Sequence, residues 1–75
     1  MRKEVKRFAN DMEKTLRIHD KTKSHWSNAT RTYLLGKLRD EVEELDNAIA
    51  LRGNQDIRAE AIDVANFAMM IWDNA

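Results

Sequence analysis

Apolar residues recur along this chain at steps of three and four, in three separate stretches. Val5, Phe8, Ala9, Met12 and Leu16 form the first stripe, which predicts one helix from about residue 2 to about residue 18. The stretch His19 to Asn28 breaks the pattern. It is polar and aperiodic and holds Ser24, Ser27 and Asn28, side chains suited to cap a following helix, so it reads as a loop. Leu34, Leu38, Val42, Leu45 and Ile49 define a second stripe, predicting a helix from Thr30 to Arg52 that Gly53 stops through a left-handed backbone at the helix end. Ile57, Ala61, Val64, Ala68 and Ile71 define a third, from about Gln55 to Asn74. Only Arg52-Gly53-Asn54-Gln55 joins the second and third helices, so the two must fold back as an antiparallel hairpin.

The expected fold is therefore all-α, with three helices per chain and one domain over residues 1–75. A chain of this length buries too little surface to be comfortably stable alone. It has no Cys to staple it. Association with a second copy is the remaining source of apolar burial, and the absence of Pro with only two Gly favours helices long enough to share a core. The expectation is an obligate oligomer whose hairpins pair into a four-helix core. The N-terminus lacks an apolar targeting segment, and no stretch approaches the roughly 18 apolar residues of a membrane span. The expected location is the cytoplasm, with no membrane partner.

Net charge is zero, but residues 1–40 carry 11 Lys/Arg against 5 Asp/Glu and residues 41–75 carry 2 against 8. The basic half suits a phosphorylated ligand or nucleic acid, and the acidic half suits a cation. A metal-bound polyphosphate would use both. The alternative is that the two halves only neutralise each other in the fold.

Four of those carboxylates intrude on the apolar stripes. On a helical wheel at about 100° per residue with Leu34 at zero, Leu45, Leu38 and Ile49 fall near 20°, 40° and 60°, and Glu41 falls near −20°, inside the stripe. Glu44 lies at its edge near −80°, whereas Glu43 points to the opposite side. With Ile57 at zero on the third helix, Glu60 falls near −60°, between Ile71 and Phe67, and Asp63 follows near −120°. Measured from the turn, Glu44 and Asp63 are each about 14 Å along the hairpin, with Glu41 and Glu60 one turn to either side. All four can converge on one site. Ionised carboxylates gathered in a semi-buried patch repel and drive their pKa values up unless a cation compensates them. Oxygen-only ligation suits Mg²⁺ or Mn²⁺ and argues against zinc or copper. Neither hairpin helix contains His, which argues against a di-iron bundle. Mg²⁺ shares its coordination with substrate phosphates, so the natural chemistry is phosphoanhydride hydrolysis by an activated water.

The run Leu38-Arg39-Asp40-Glu41-Val42-Glu43-Glu44-Leu45, followed by Glu60-Ala61-Ile62-Asp63-Val64-Ala65-Asn66, resembles the E-x-x-E and E-x-x-D signature of the all-alpha NTP pyrophosphohydrolases. MazG, the dimeric dUTPases, the dCTP pyrophosphatases and phosphoribosyl-ATP pyrophosphohydrolase belong to that superfamily. The similarity covers roughly residues 30–73, and the 16-residue step from Glu44 to Glu60 is similar to that of compact MazG-like members. The resemblance implies hydrolysis of a nucleoside triphosphate to the monophosphate and pyrophosphate, with Glu41, Glu44, Glu60 and Asp63 binding Mg²⁺. It also implies a dimer or a dimer of dimers. Many relatives continue into a fourth helix, whereas this sequence stops at Ala75, so a short form would complete its site from a partner chain or lack part of the base pocket.

Lys37 stands one turn before Glu41 on the same helical face, where an ammonium can reach a phosphate oxygen or simply pair at the surface. Asn66 is a further phosphate candidate, and Arg58 and Arg31 are weaker ones that could as easily be solvated. Trp26, in the loop, and Phe67, one turn past Asp63, are the candidate walls of a base site, because relatives are similar in placing aromatics against the nucleobase; stacking needs only a π face and does not identify the base. Of the two histidines His25 is the candidate ligand contact and His19 reads as surface. The competing reading is a non-catalytic helical dimer whose basic N-terminal half binds nucleic acid or a protein, and it predicts indifference to Mg²⁺.

Overall fold

A computed structural model describes residues 1–75 and contains three α-helices, α1 Lys3–His19, α2 Arg31–Leu51 and α3 Asn54–Asn74. A single 3₁₀ turn, Trp26–Asn28, interrupts the connection between α1 and α2. All three helices lie within a residue or two of the spans their apolar spacing predicts. None is long and apolar enough to cross a membrane.

The helix ends depart from expectation in two places. The cap of α2 is Thr30 and not Ser24, Ser27 or Asn28: its Oγ1 accepts the Tyr33 backbone N–H at 3.1 Å, satisfying one of the donors a helix start leaves unpaired. Gly53 does not take a left-handed conformation. Its φ and ψ are −98° and 179°, and no residue of the chain has positive φ. Arg52 is also extended, with its N–H still bonded to Ala48 O. Gly53 instead begins α3, its carbonyl accepting the Ile57 N–H at 3.1 Å. With only two extended residues between the helices, the second must already serve as the N-cap of α3, a role glycine tolerates.

The α2/α3 hairpin is the most intimate packing in the molecule, and α1 lies against α3 but not against α2. The central helix α3 is thus covered on two sides, and most of its residues from Glu60 to Ile71 are at least half-buried. On α2 the inward positions are Leu34, Leu38, Glu41, Leu45 and Ala48. They repeat at steps of four and three. Val42 and Ile49, which the sequence places in the core stripe, are 49% and 61% exposed, and on α3 Ala68 is exposed as well. Glu41 and Ala48 take the inward places because the apolar arc of α2 is wider than one contact: Leu35, Val42 and Ile49 form its outer edge. Only four of 75 residues are fully buried, namely Leu34, Ala48, Ile62 and Asn66.

On the other side of α3, the Asn66 amide donates from Nδ2 to the Met12 carbonyl of α1 at 3.3 Å. This long-range bond fixes how α1 lies on α3. Because α1 reaches α3 alone, a gap stays open between α1 and α2. That gap is the cleft described next.

Candidate metal centre

The cleft measures about 1170 Å³ and has α3 as its floor, α1 and α2 as its walls and the loop before α2 across one end. Glu41 enters it from α2, and Asp63, Asn66, Phe67 and Met70 enter from successive turns of α3. Glu41, Glu60 and Asp63 each present a carboxylate oxygen, and these oxygens all lie within 4.8 Å of one another. All three side chains are half-buried. Three oxygen donors at this separation can hold a metal ion, and nothing softer than oxygen stands in the group.

The electrostatics follow from that crowding. Burial, with the neighbouring charge of Asp63, the contact with the Glu60 carboxylate and the charges of Glu60 and Glu44, raises the Glu41 carboxyl from 4.5 to about 7. Asp63 is raised by burial and by Glu60, and drawn partly back by the positive charges of His19 and Lys23. Each carboxylate is costly to ionise here because the others are close and water is partly excluded. A divalent cation would remove that cost for all of them.

Glu44 stands apart from this group. Its Oε2 accepts a hydrogen bond from Arg52 Nη2 at 3.1 Å, in a half-exposed ion pair. The wheel places Glu44 at the edge of the stripe but does not register that Arg52, in the extended link after α2, lies within reach of it. Arg58 and Arg31 are exposed and do not line the cleft. Asn66 does line it, but as a buried tie to α1 whose Oδ1 is enclosed without a donor.

Lys37 lines the α2 wall, with its ammonium 5.8 Å from the centroid of the Tyr33 ring. Tyr33 itself is a cleft residue that sequence reading passes over; the signal was there, since Tyr33, Lys37 and Glu41 follow at steps of four along one face of α2. Trp26, His25 and Phe67 also line the cleft. The His25 and Trp26 rings stack at 4.0 Å between centroids with 28° between planes. Trp26 is anchored at its edge and its backbone: the indole Nε1 donates to Asp73 Oδ2 at 2.9 Å, and Asn74 Nδ2 donates to the Trp26 carbonyl at 2.9 Å. The last turn of α3 thereby pins the loop that closes this end of the cleft. Lys23 was passed over too and His19 was read as surface, yet both line the cleft beside Asp63.

An uncharacterised protein of Archaeoglobus fulgidus is 36% identical to this chain over 47 residues. The match covers 63% of the chain and 50% of that relative, so the chain spans about half the length of the protein it matches. No family model matches the chain. No solved structure matches it.

Proposed function

We propose that the chain is a Mg²⁺-dependent nucleoside triphosphate pyrophosphohydrolase of the MazG-like, all-alpha kind, with Glu41, Glu60 and Asp63 as the metal ligands. The observation that carries this reading is the placement of three mutually close, half-buried carboxylates, two of which, Glu41 and Asp63, line one cleft. The rim of the same cleft holds cations and stacked aromatic rings. A nucleotide triphosphate has complementary parts: a π face for Trp26, anionic oxygens for lysine, and phosphates that share a hard cation with carboxylates. When bound, Mg²⁺ would draw charge from the phosphate oxygens during cleavage. The reaction adds a water oxygen to the α phosphorus and breaks its bond to the bridging oxygen, whose electron pair leaves with pyrophosphate. One water proton passes to a nearby carboxylate and then to solvent. Glu44 supports the site through its charge on Glu41, and its Oε2 accepts from Arg52.

The same reading makes the protein a homodimer or a dimer of dimers, its hairpins paired in a four-helix core. The outward row Leu35, Val42 and Ile49 on α2, with exposed Ala68 on α3, supports it. So small a fully buried set in one chain supports it too.

A panel of canonical and modified nucleoside triphosphates, assayed with Mg²⁺ and Mn²⁺ separately for pyrophosphate and orthophosphate, tests the activity. Pyrophosphate release from at least one nucleotide, abolished by EDTA, is expected. Orthophosphate as the sole inorganic product would overturn the cleavage position. No hydrolysis across the panel, together with metal-independent binding of nucleic acid, would favour the non-catalytic reading of the basic N-terminal half.

A further inference from the structure

The cleft carries three basic side chains with no anionic partner. His19 ends α1, Lys23 follows it by four residues, and Lys37 faces them from α2. The ion pairs of the chain are elsewhere, Arg17 with Glu13 and Arg52 with Glu44. Asp20 lies at the same rim and pairs with neither His19 nor Lys23. Lysine and histidine beside a carboxylate cluster ordinarily close ion pairs with it. Here they stop short of contact with Asp63, although their charge is felt there.

Their position is built by the fold. The Asn66 bond to Met12 holds α1 on α3, which brings the last turn of α1 level with the carboxylates. The His19 carbonyl then accepts the backbone N–H groups of Thr22 and Lys23, both at 3.1 Å, curling the chain back so that Lys23 stands over the cleft next to His19. The aromatic end is separate. Trp26 is pinned to Asp73, ten residues beyond Asp63 on α3 and so about 15 Å along the helix, far enough to set a base apart from a polyphosphate.

We propose that His19 and Lys23 are the leaving-group contacts of this site, binding the β and γ phosphates that depart as pyrophosphate. The assignment rests on the hydrolase reading above and orients the substrate within it: base toward Trp26, α phosphate at the carboxylates, and the outer phosphates under the end of α1. A phosphate bound between these side chains and the metal-binding carboxylates would be attracted from both sides.

The test is direct binding, by titration calorimetry in Mg²⁺, of inorganic pyrophosphate and separately of the nucleoside monophosphate, to the wild type, to Lys23→Met and to His19→Gln. Each substitution is expected to weaken pyrophosphate about tenfold, the loss of one charge-assisted contact, and to leave the monophosphate within about twofold. Lys23→Arg, which keeps the charge, is expected to retain pyrophosphate binding and so separates charge from folding. Pyrophosphate affinity unchanged in both variants would overturn the proposal, as would equal weakening of both products. A wild type that hydrolyses triphosphates while the variants bind pyrophosphate normally refutes this assignment alone. A wild type that hydrolyses nothing, but whose pyrophosphate binding depends on Lys23 and His19, refutes the hydrolase reading and keeps the contact.

Discussion

Replacing Glu41 with Gln is expected to lower pyrophosphate release by on the order of 100-fold or more, the scale of losing a preorganised charge at the reacting phosphate. The same substitution is expected to stabilise the metal-free protein at neutral pH. These opposite signs come from one cause. The Glu41 carboxyl is raised to about 7 by burial and by the carboxylates around it, so the folded chain pays to ionise it. In the unfolded chain it titrates near 4.5, and the folded state therefore binds more protons between those two values. Stability from this group is fully present below about pH 4.5 and is lost as pH rises through about 7. Asp63 is shifted in the same direction and adds to the loss.

Gln keeps the volume and cannot ionise, so in EDTA the variant should melt above the wild type at pH 8 and alongside it at pH 4.5. Mg²⁺ should reverse the order at pH 8, because a cation compensates the wild-type cluster and finds a weaker one in the variant. At pH 5 Mg²⁺ should raise the wild-type melting temperature less, since a proton on Glu41 competes with it. Melts at the three pH values with and without metal read all of this. A variant that melts well below wild type in EDTA and still hydrolyses at full rate would remove Glu41 from the site and make it an ordinary structural carboxylate.

Much of this arrangement was legible in the sequence, and the reasons for the rest are specific. The helices were legible because steps of three and four put apolar side chains on one face, and Glu41 was legible as an intruder because its wheel position lies inside that face. Glu44 shows a second limit. A wheel gives direction from the axis and says nothing of competitors, and Arg52 in the extended link takes the Glu44 carboxylate. The contributions of His19, Lys23 and Trp26 depend on how residues 20–30 double back. That path is set by single bonds across more than forty residues, Trp26 to Asp73 and Asn74 to Trp26, which leave no periodic trace. Val42 and Ile49 show a third limit. A wide apolar arc identifies that a helix is covered, but not whether its own chain or another covers each edge.

That last ambiguity is resolved by charging the outer edge. Leu35, Val42 and Ile49 are spaced by seven, with Leu38 and Leu45 between them, the 3-4 repeat of a helix–helix seam. In a lone chain Val42 is half-exposed, so Val42→Asp would act as a surface change of within about 0.5 kcal/mol. In paired hairpins the same residue meets its counterpart's hairpin. The substitution then removes about 1.5–3 kcal/mol of apolar burial from each copy and leaves a carboxylate in the seam of each. Val42→Asp is expected to sediment as a monomer and to melt lower by at least about 10 °C, since about 1 kcal/mol moves a chain of this size by about 4–8 °C. Asn47→Asp, on the far side of α2 and exposed, should change neither. Wild type sedimenting as a well-folded monomer at micromolar concentration, with Val42→Asp melting beside it, would sink the paired core. Loss of pairing is also expected to lower hydrolysis, because Val42 adjoins Glu41 and the hairpin that the seam would stiffen carries all three carboxylates.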